Sequence, residues 1–213
     1  AASYRPIRST LEAGGQLWVL GAAGPMGHMH VQRAIEMTPR PRRIVATNLR
    51  SPRISELRAK FAAAAAERGI ELICLTEELL GHEQFHARLG ALSDGQGFDD
   101  IVLLAPSTKA IEAAAGYLAP GGVMNLFVGL PRGTTARLDL NPVRDRRQVR
   151  FVGSSGSSIE DMQRMLELTE SGVISPNRSV AAVAGLDGAH DGLRAVGEGR
   201  FPGKVVIYPH LAS

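Results

Sequence analysis

The residues best suited to chemistry stand in a glycine-rich turn, Gly21-Ala22-Ala23-Gly24-Pro25-Met26-Gly27, a G-x-x-G-x-x-G. Such a turn can cradle a pyrophosphate. The first glycine takes the tight bend off a strand, and the middle one lets backbone amides approach the phosphates with no Cβ in the way. The last lets helix and strand pack closely, and the helix N-terminus adds partial positive charge. In a chain with 24 glycines the spacing alone is a weak signal. Its position is a stronger one: the turn follows an apolar run (Gln16 to Leu20), opens a helical stretch and leads to a second apolar run (Arg43 to Thr47), which is the context a dinucleotide fingerprint requires. At the end of that second run, where a carboxylate would bind both ribose hydroxyls and select NAD, stands Asn48. Its amide can bond a hydroxyl without repelling a 2′-phosphate, and Arg50 and Arg53 follow closely, so NAD and NADP both stay open.

Other residues also have chemical potential. His82-Glu83-Gln84-Phe85-His86 is a literal H-E-x-x-H, and on a helix its two histidines would share a face able to hold zinc, with the glutamate as general base. The longer form of that motif requires Gly and His where Leu89 and Leu92 stand, and the short helix ends near Gly90. We therefore expect a solvent-facing helix with two ordinary histidines and set the metalloprotease aside as a remote alternative. Ser154, Ser155, Ser157 and Ser158 read as a helix cap better than as nucleophiles. His28 and His30 are placed to border a pyrophosphate, to pack inward or to face water. Cys74, on an apolar run, reads as an inert core thiol.

The elements that position these residues alternate along the chain. Strands are expected at 16–20, 43–47, 71–76, 99–105, 123–128 and 149–152, with helices at 26–37, 51–68, 83–92 and 108–118. A further helix is opened by Ser157, with Glu160 completing a capping box, and ended by Gly172. Between them 131–148 is irregular and Arg-rich. The continuous hydrophobicity of DDIVLLA marks a strand buried on both faces. The fold class is thus α/β, a Rossmann-type doubly wound parallel sheet. Beyond Pro176 a smaller strand (179–183), helix (186–199) and strand (204–208) follow, which divides the chain into 1–174, the dinucleotide-binding domain, and 175–213, a C-terminal segment.

Composition excludes several classes. The chain has 213 residues, 44% hydrophobic and 21% charged, enough to build a core and too apolar for disorder. One cysteine permits no intramolecular disulfide, no apolar run approaches the length of a membrane helix, and no export signal is expected. A reducing cytoplasm is the expectation. The net charge is +3, with 21 arginines and three lysines scattered along the chain and forming no stripe with interleaved aromatics, so nucleic acid is not an expected partner.

LWVLGAAGPMG, the Asn48 to Arg53 segment, FDDIVLLAP, LAPGGVMNLFVGLP, VGSSGSSIEDM and GKVVIYP resemble, in this order, the nucleotide-binding half of medium-chain zinc-type alcohol dehydrogenases. Within that superfamily the sorbitol and threonine dehydrogenase branch is most similar, and the GPMG turn with VGSSG also resembles L-sorbose 1-phosphate reductases. The resemblance implies that Gly21, Gly24, Pro25, Met26 and Gly27 hold the pyrophosphate of NAD or NADP, that Asn48, Arg50 and Arg53 meet the adenosine, and that Ala105, Pro106, Phe127, Val128 and Gly129 flank the nicotinamide. The family usually has Asp at the position of Asn48. It also implies a dimer or tetramer formed by edge-strand pairing near Val123 to Val128 and Val149 to Val152, and an alcohol, polyol, sugar or sugar phosphate as substrate. The family's catalytic zinc sits on a preceding substrate half with no counterpart here, so the chain itself carries no expected metal ligand or catalytic residue. We expect a cofactor domain that is part of a longer subunit and inactive alone, its C-terminal segment returning to the absent catalytic domain. The Tyr and Lys pair of short-chain dehydrogenases is missing: Tyr4, Tyr117 and Tyr208 have no Lys four residues on. A stand-alone nucleotide-binding or regulatory module is the alternative of a different class.

Overall fold

A computed structural model describes residues 15–36, 38–49, 51–153, 156–201 and 203–211. Six parallel strands form the main sheet in the order β3-β2-β1-β4-β5-β6: β1 (Gln16–Leu20), β2 (Arg43–Asn48), β3 (Glu71–Thr76), β4 (Phe98–Leu103), β5 (Leu118–Leu126) and β6 (Arg150–Gly153). That order is the doubly wound one, and its direction reverses between β1 and β4. Side chains alternate across the sheet. Leu17, Val19, Ile44 and Ala46 face the helices α1 (Pro25–Glu36) and α2 (Ser51–Glu67), whose Val31, Ile35, Leu57 and Phe61 complete one core layer. Trp18, Val45, Ile101 and Leu103 face the other side and pack on Phe85 and Leu89 of α4 (His82–Leu92) and Ile111 of α5 (Thr108–Ala115).

The expected architecture is present, with several shifts in its bounds. β5 starts at Leu118, not Val123, because the strand runs through the breaker residues Pro120 and Gly121: Gly121 takes φ +74°, and the pairing with β4 slips between Phe98 and Asp100. β5 also ends at Leu126 and β4 at Leu103, so Ala105, Phe127 and Val128 lie just past their strands. α5 stops at Ala115, earlier than the expected Leu118, since the chain must turn into β5. A short helix α3 (Glu77–Leu80) precedes α4, which starts one residue early at His82 and ends at the expected Leu92, running past Gly90 with Leu89 and Leu92 buried. Within the irregular stretch lies a single turn, α6 (Asn141–Arg144).

The capping box on α7 (Ile159–Glu170) falls one residue later than expected, on Ser158 and Asp161. Asp161 N donates to Ser158 Oγ at 3.2 Å and Ser158 N to Asp161 Oδ2 at 3.1 Å; the shorter acid reaches back as the expected glutamate would. Ser154, Ser155, Tyr4 and Met37 lie outside the described residues.

The tail forms a two-stranded parallel sheet of β7 (Val180–Ala184) and β8 (Lys204–Ile207), joined through α8 (Ala189–Gly197). A tight turn at Leu186–Gly188 takes the first residues of the expected helix. The tail docks on α1: Gln32 Nε2 donates to the Ser175 carbonyl and to Glu36 Oε2, both at 2.9 Å, and buried Glu36 pairs with Arg178 at 3.0 Å. Among the described residues no helix is long and apolar enough to cross a membrane.

Candidate functional site

Three short links gather the expected site residues at the carboxyl ends of the strands. Gly21 N and Ala22 N both donate to the Thr47 carbonyl at 2.9 Å, tying the glycine turn to the residue before Asn48. Leu104 N donates to Leu20 O at 2.9 Å, and Phe127 N to Leu103 O at 3.2 Å. Asn48, the glycine turn, Ala105 and Phe127 therefore line up across the point where the strand order reverses, the place where open α/β sheets take their ligands. Trp18 stiffens this row from below, its Nε1 donating to buried Thr47 Oγ1 at 2.8 Å.

The three glycines meet different surroundings. Gly21 has φ +85°, and a Cβ there would lie 3.0 Å from Ala105 N. At Gly27 a Cβ would lie 2.0 Å from the Ala22 carbonyl oxygen, so α1 approaches the turn too closely for any side chain. Gly24 is open, with the Gly21 oxygen at 4.0 Å its nearest neighbour. Packing within the protein thus accounts for Gly21 and Gly27, whereas the bare backbone at Gly24 leaves room for something outside it. Pro25 starts α1, whose first turn holds no acidic residue, so the positive end of the helix is not neutralised there.

The remaining expected residues divide. Asn48 ends β2, half-buried, beside Thr76 of β3. Arg53 is exposed, and its guanidinium donates to the Gly199 carbonyl in the tail. Arg50 lies outside the described residues. Ala105 and Pro106 lead into α5, capped by Ser107 Oγ, which accepts from Ala110 N at 3.3 Å. Val128 is half-buried, and Gly129 is open.

His28 and His30 pack inward. They are 2% and 3% exposed, His28 at 5.8 Å from the Phe61 ring and His30 at 5.0 Å from the Phe127 ring, both nearly perpendicular. Burial pushes both imidazoles down to about 4, so they are neutral at physiological pH. The contact between His30 and Phe127 escaped the sequence, where only the aromatic character of both residues hinted at it.

The H-E-x-x-H histidines have other partners. His82 Nδ1 lies 2.6 Å from Glu77 Oε1 and His86 Nδ1 2.8 Å from the Tyr117 hydroxyl. No group of three or more His, Cys, Asp or Glu among the described residues has the arrangement of a metal site. Cys74 is partly buried on β3, and burial pushes its thiol up to about 11.

No protein-family model matches the chain. It is 34% identical over 205 residues to mannitol-1-phosphate 5-dehydrogenase of Aliivibrio fischeri, covering 94% of this chain and 47% of that protein. It is 30% identical over 190 residues to L-sorbose 1-phosphate reductase of Klebsiella pneumoniae, covering 87% and 44%. In structure it is similar to 2R,3R-butanediol dehydrogenase of Bacillus subtilis, with TM-score 0.76, 18% identity and coverage of 98% and 54%. The chain has a Rossmann-like fold, a six-stranded parallel sheet flanked by helices, that matches about half of the butanediol dehydrogenase chain. It spans about half the length of the curated relatives it matches. Also similar in fold are a zinc-binding dehydrogenase of Sinorhizobium meliloti solved with NADP (TM-score 0.65, 17% identity, 84% and 48% covered) and an alcohol dehydrogenase of E. coli solved with NADH (0.65, 12%, 88% and 53%).

Proposed function

We propose that this chain is the nicotinamide-dinucleotide-binding half of a medium-chain dehydrogenase that interconverts an alcohol and a carbonyl. The observation that carries the reading is the contrast within the glycine turn: Gly24 alone of the three faces open space, at the N-terminus of α1 and at the switch point of the sheet. The residues present fit the cofactor. Gly24, Met26 and Gly27 would take the pyrophosphate on backbone N–H groups, with Pro25 opening the helix between them, Asn48 and Arg53 the adenosine, and Ala105, Pro106 and Phe127 to Gly129 the nicotinamide. Arg53 would have to exchange its bond to Gly199 for this. The bound nicotinamide supplies the hydride donor or acceptor. The chain's own residues bind it, orient it and keep water from its inner side.

The finer reading takes a polyol or sugar phosphate as substrate, supported by the names of the two curated relatives, both 1-phosphate enzymes. We place the family's zinc in the half of those relatives that this chain does not span, and regard 175–213 as a segment that joins the two halves. Taken alone, the chain should bind cofactor without turnover. β6 forms one outer edge of the main sheet, whereas β5 is flanked by β4 and β6; pairing of two copies would therefore use β6 and not Val123 to Val128. We assign the protein to the cytoplasm. Fluorescence titration with NADH and NADPH tests the cofactor reading: saturable binding of either supports it, and binding of neither ends it.

A further inference from the structure

The dinucleotide must cross the switch point, with one nucleotide over β1 to β3 and the other over β4 to β6. The second has to pass the residues that follow β5, beginning with Phe127. Phe127 is only half-buried, and its backbone is held by Leu103 O at 3.2 Å and Asn125 O at 3.1 Å. On the helix side Phe127 packs against the first core layer, and its ring meets that of His30, 97% buried and nearly perpendicular at 71°, three residues beyond Gly27 on the helix that starts at the pyrophosphate turn. A perpendicular aromatic pair has a defined geometry that an aliphatic side chain cannot reproduce.

We propose that His30 is a positioning residue for the nicotinamide half of the cofactor, acting by fixing the Phe127 ring at the rim of the crevice. The proposal rests on the cofactor reading above. His30 touches no reacting atom; it links the helix that anchors the pyrophosphate to the strand end that receives the nicotinamide, so the spacing between the two anchoring points depends on it. His28 is a built-in control. It is equally buried on the same helix, but its ring packs on Phe61 of α2, away from the strand end after β5.

The test compares NADH with ADP-ribose, which lacks the nicotinamide, by calorimetric titration of the full chain. His30→Leu keeps the bulk and removes the ring; it should weaken NADH at least about tenfold while ADP-ribose changes less than about twofold, and His30→Phe should restore NADH to within about threefold. His28→Leu should leave the ratio of the two affinities unchanged. Unchanged NADH affinity in His30→Leu overturns the proposal, as does equal weakening of both ligands, which would mark a general structural role. If His30→Leu does not fold, the same ratio measured in His30→Phe decides: NADH selectively lost there also overturns it. If the unaltered chain binds neither ligand, the cofactor reading itself has failed.

Discussion

Acid should destabilise this protein through two buried, neutral histidines. Buried His28 and His30 are held near 4 against an ordinary 6.5. Between those values the unfolded chain takes up protons that the folded chain refuses, so stability is complete above about pH 6.5, falls as pH drops, and stops falling for this reason below about 4. Integrating that difference from pH 7 to 4.5 gives between about 2 and 3 kcal/mol for each ring and about 5 for the pair. That is a large part of the about 5–15 kcal/mol of a typical domain. The Asp94 carboxylate is held below its usual value, first by its hydrogen bond to Arg42, so its contribution is lost only at still lower pH. Urea unfolding at pH 7, 5.5 and 4.5 provides the assay, and the midpoint should fall by about 2 M over that range. The double variant His28→Leu and His30→Leu should flatten most of the dependence. If it keeps the full acid sensitivity, the two rings are not its source and the burial argument is wrong.

Further predictions follow from the site. Gly27→Ala, whose Cβ would lie 2.0 Å from the Ala22 oxygen, should cost about 3 kcal/mol or more and lower the melting temperature, whereas Gly24→Ala should change stability by less than about 1 kcal/mol and still weaken NADH. Asn48→Asp should weaken NADPH at least about tenfold relative to NADH in parallel titrations, because a carboxylate repels a 2′-phosphate. Cys74, with its thiol raised from 9.0 to about 11, should react with a disulfide reagent at pH 8 at least about tenfold more slowly than a free thiol of ordinary acidity, since the loss of thiolate is only partly offset by its greater nucleophilicity, and at the ordinary rate in urea.

The strands and helices were legible because each was written in a local period. β1 and β3 fall on their expected bounds, since Gln16 to Leu20 and Glu71 to Thr76 are apolar runs stopped by Gly21 on one side and preceded by Gly69 on the other. The errors arise where local chemistry admits two answers. Ser157 and Ser158 are both good caps, each with an acid three residues on, and burial of Asp161 decides between them. Pro120 and Gly121 break most strands, yet here they sit in a bulge that lets β5 continue. Neither decision can be made from neighbours in sequence alone.

The site divides along the same line. The order Gly21, Gly24, Gly27 and the place of Asn48 follow from short spacing and from strand ends, and the structure collects them at the switch point. The direction of His30 and the grip of Gly199 on Arg53 depend on residues 97 and 146 positions away, and no periodicity encodes such distances. Those two contacts act on opposite ends of the crevice. His30 braces the strand end over which the nicotinamide would lie, and the Gly199 carbonyl engages Arg53, on the side where the adenosine would lie. On the proposed reading, the contacts that local sequence does not encode would set the dimensions of the site, while the glycines would set only where it is.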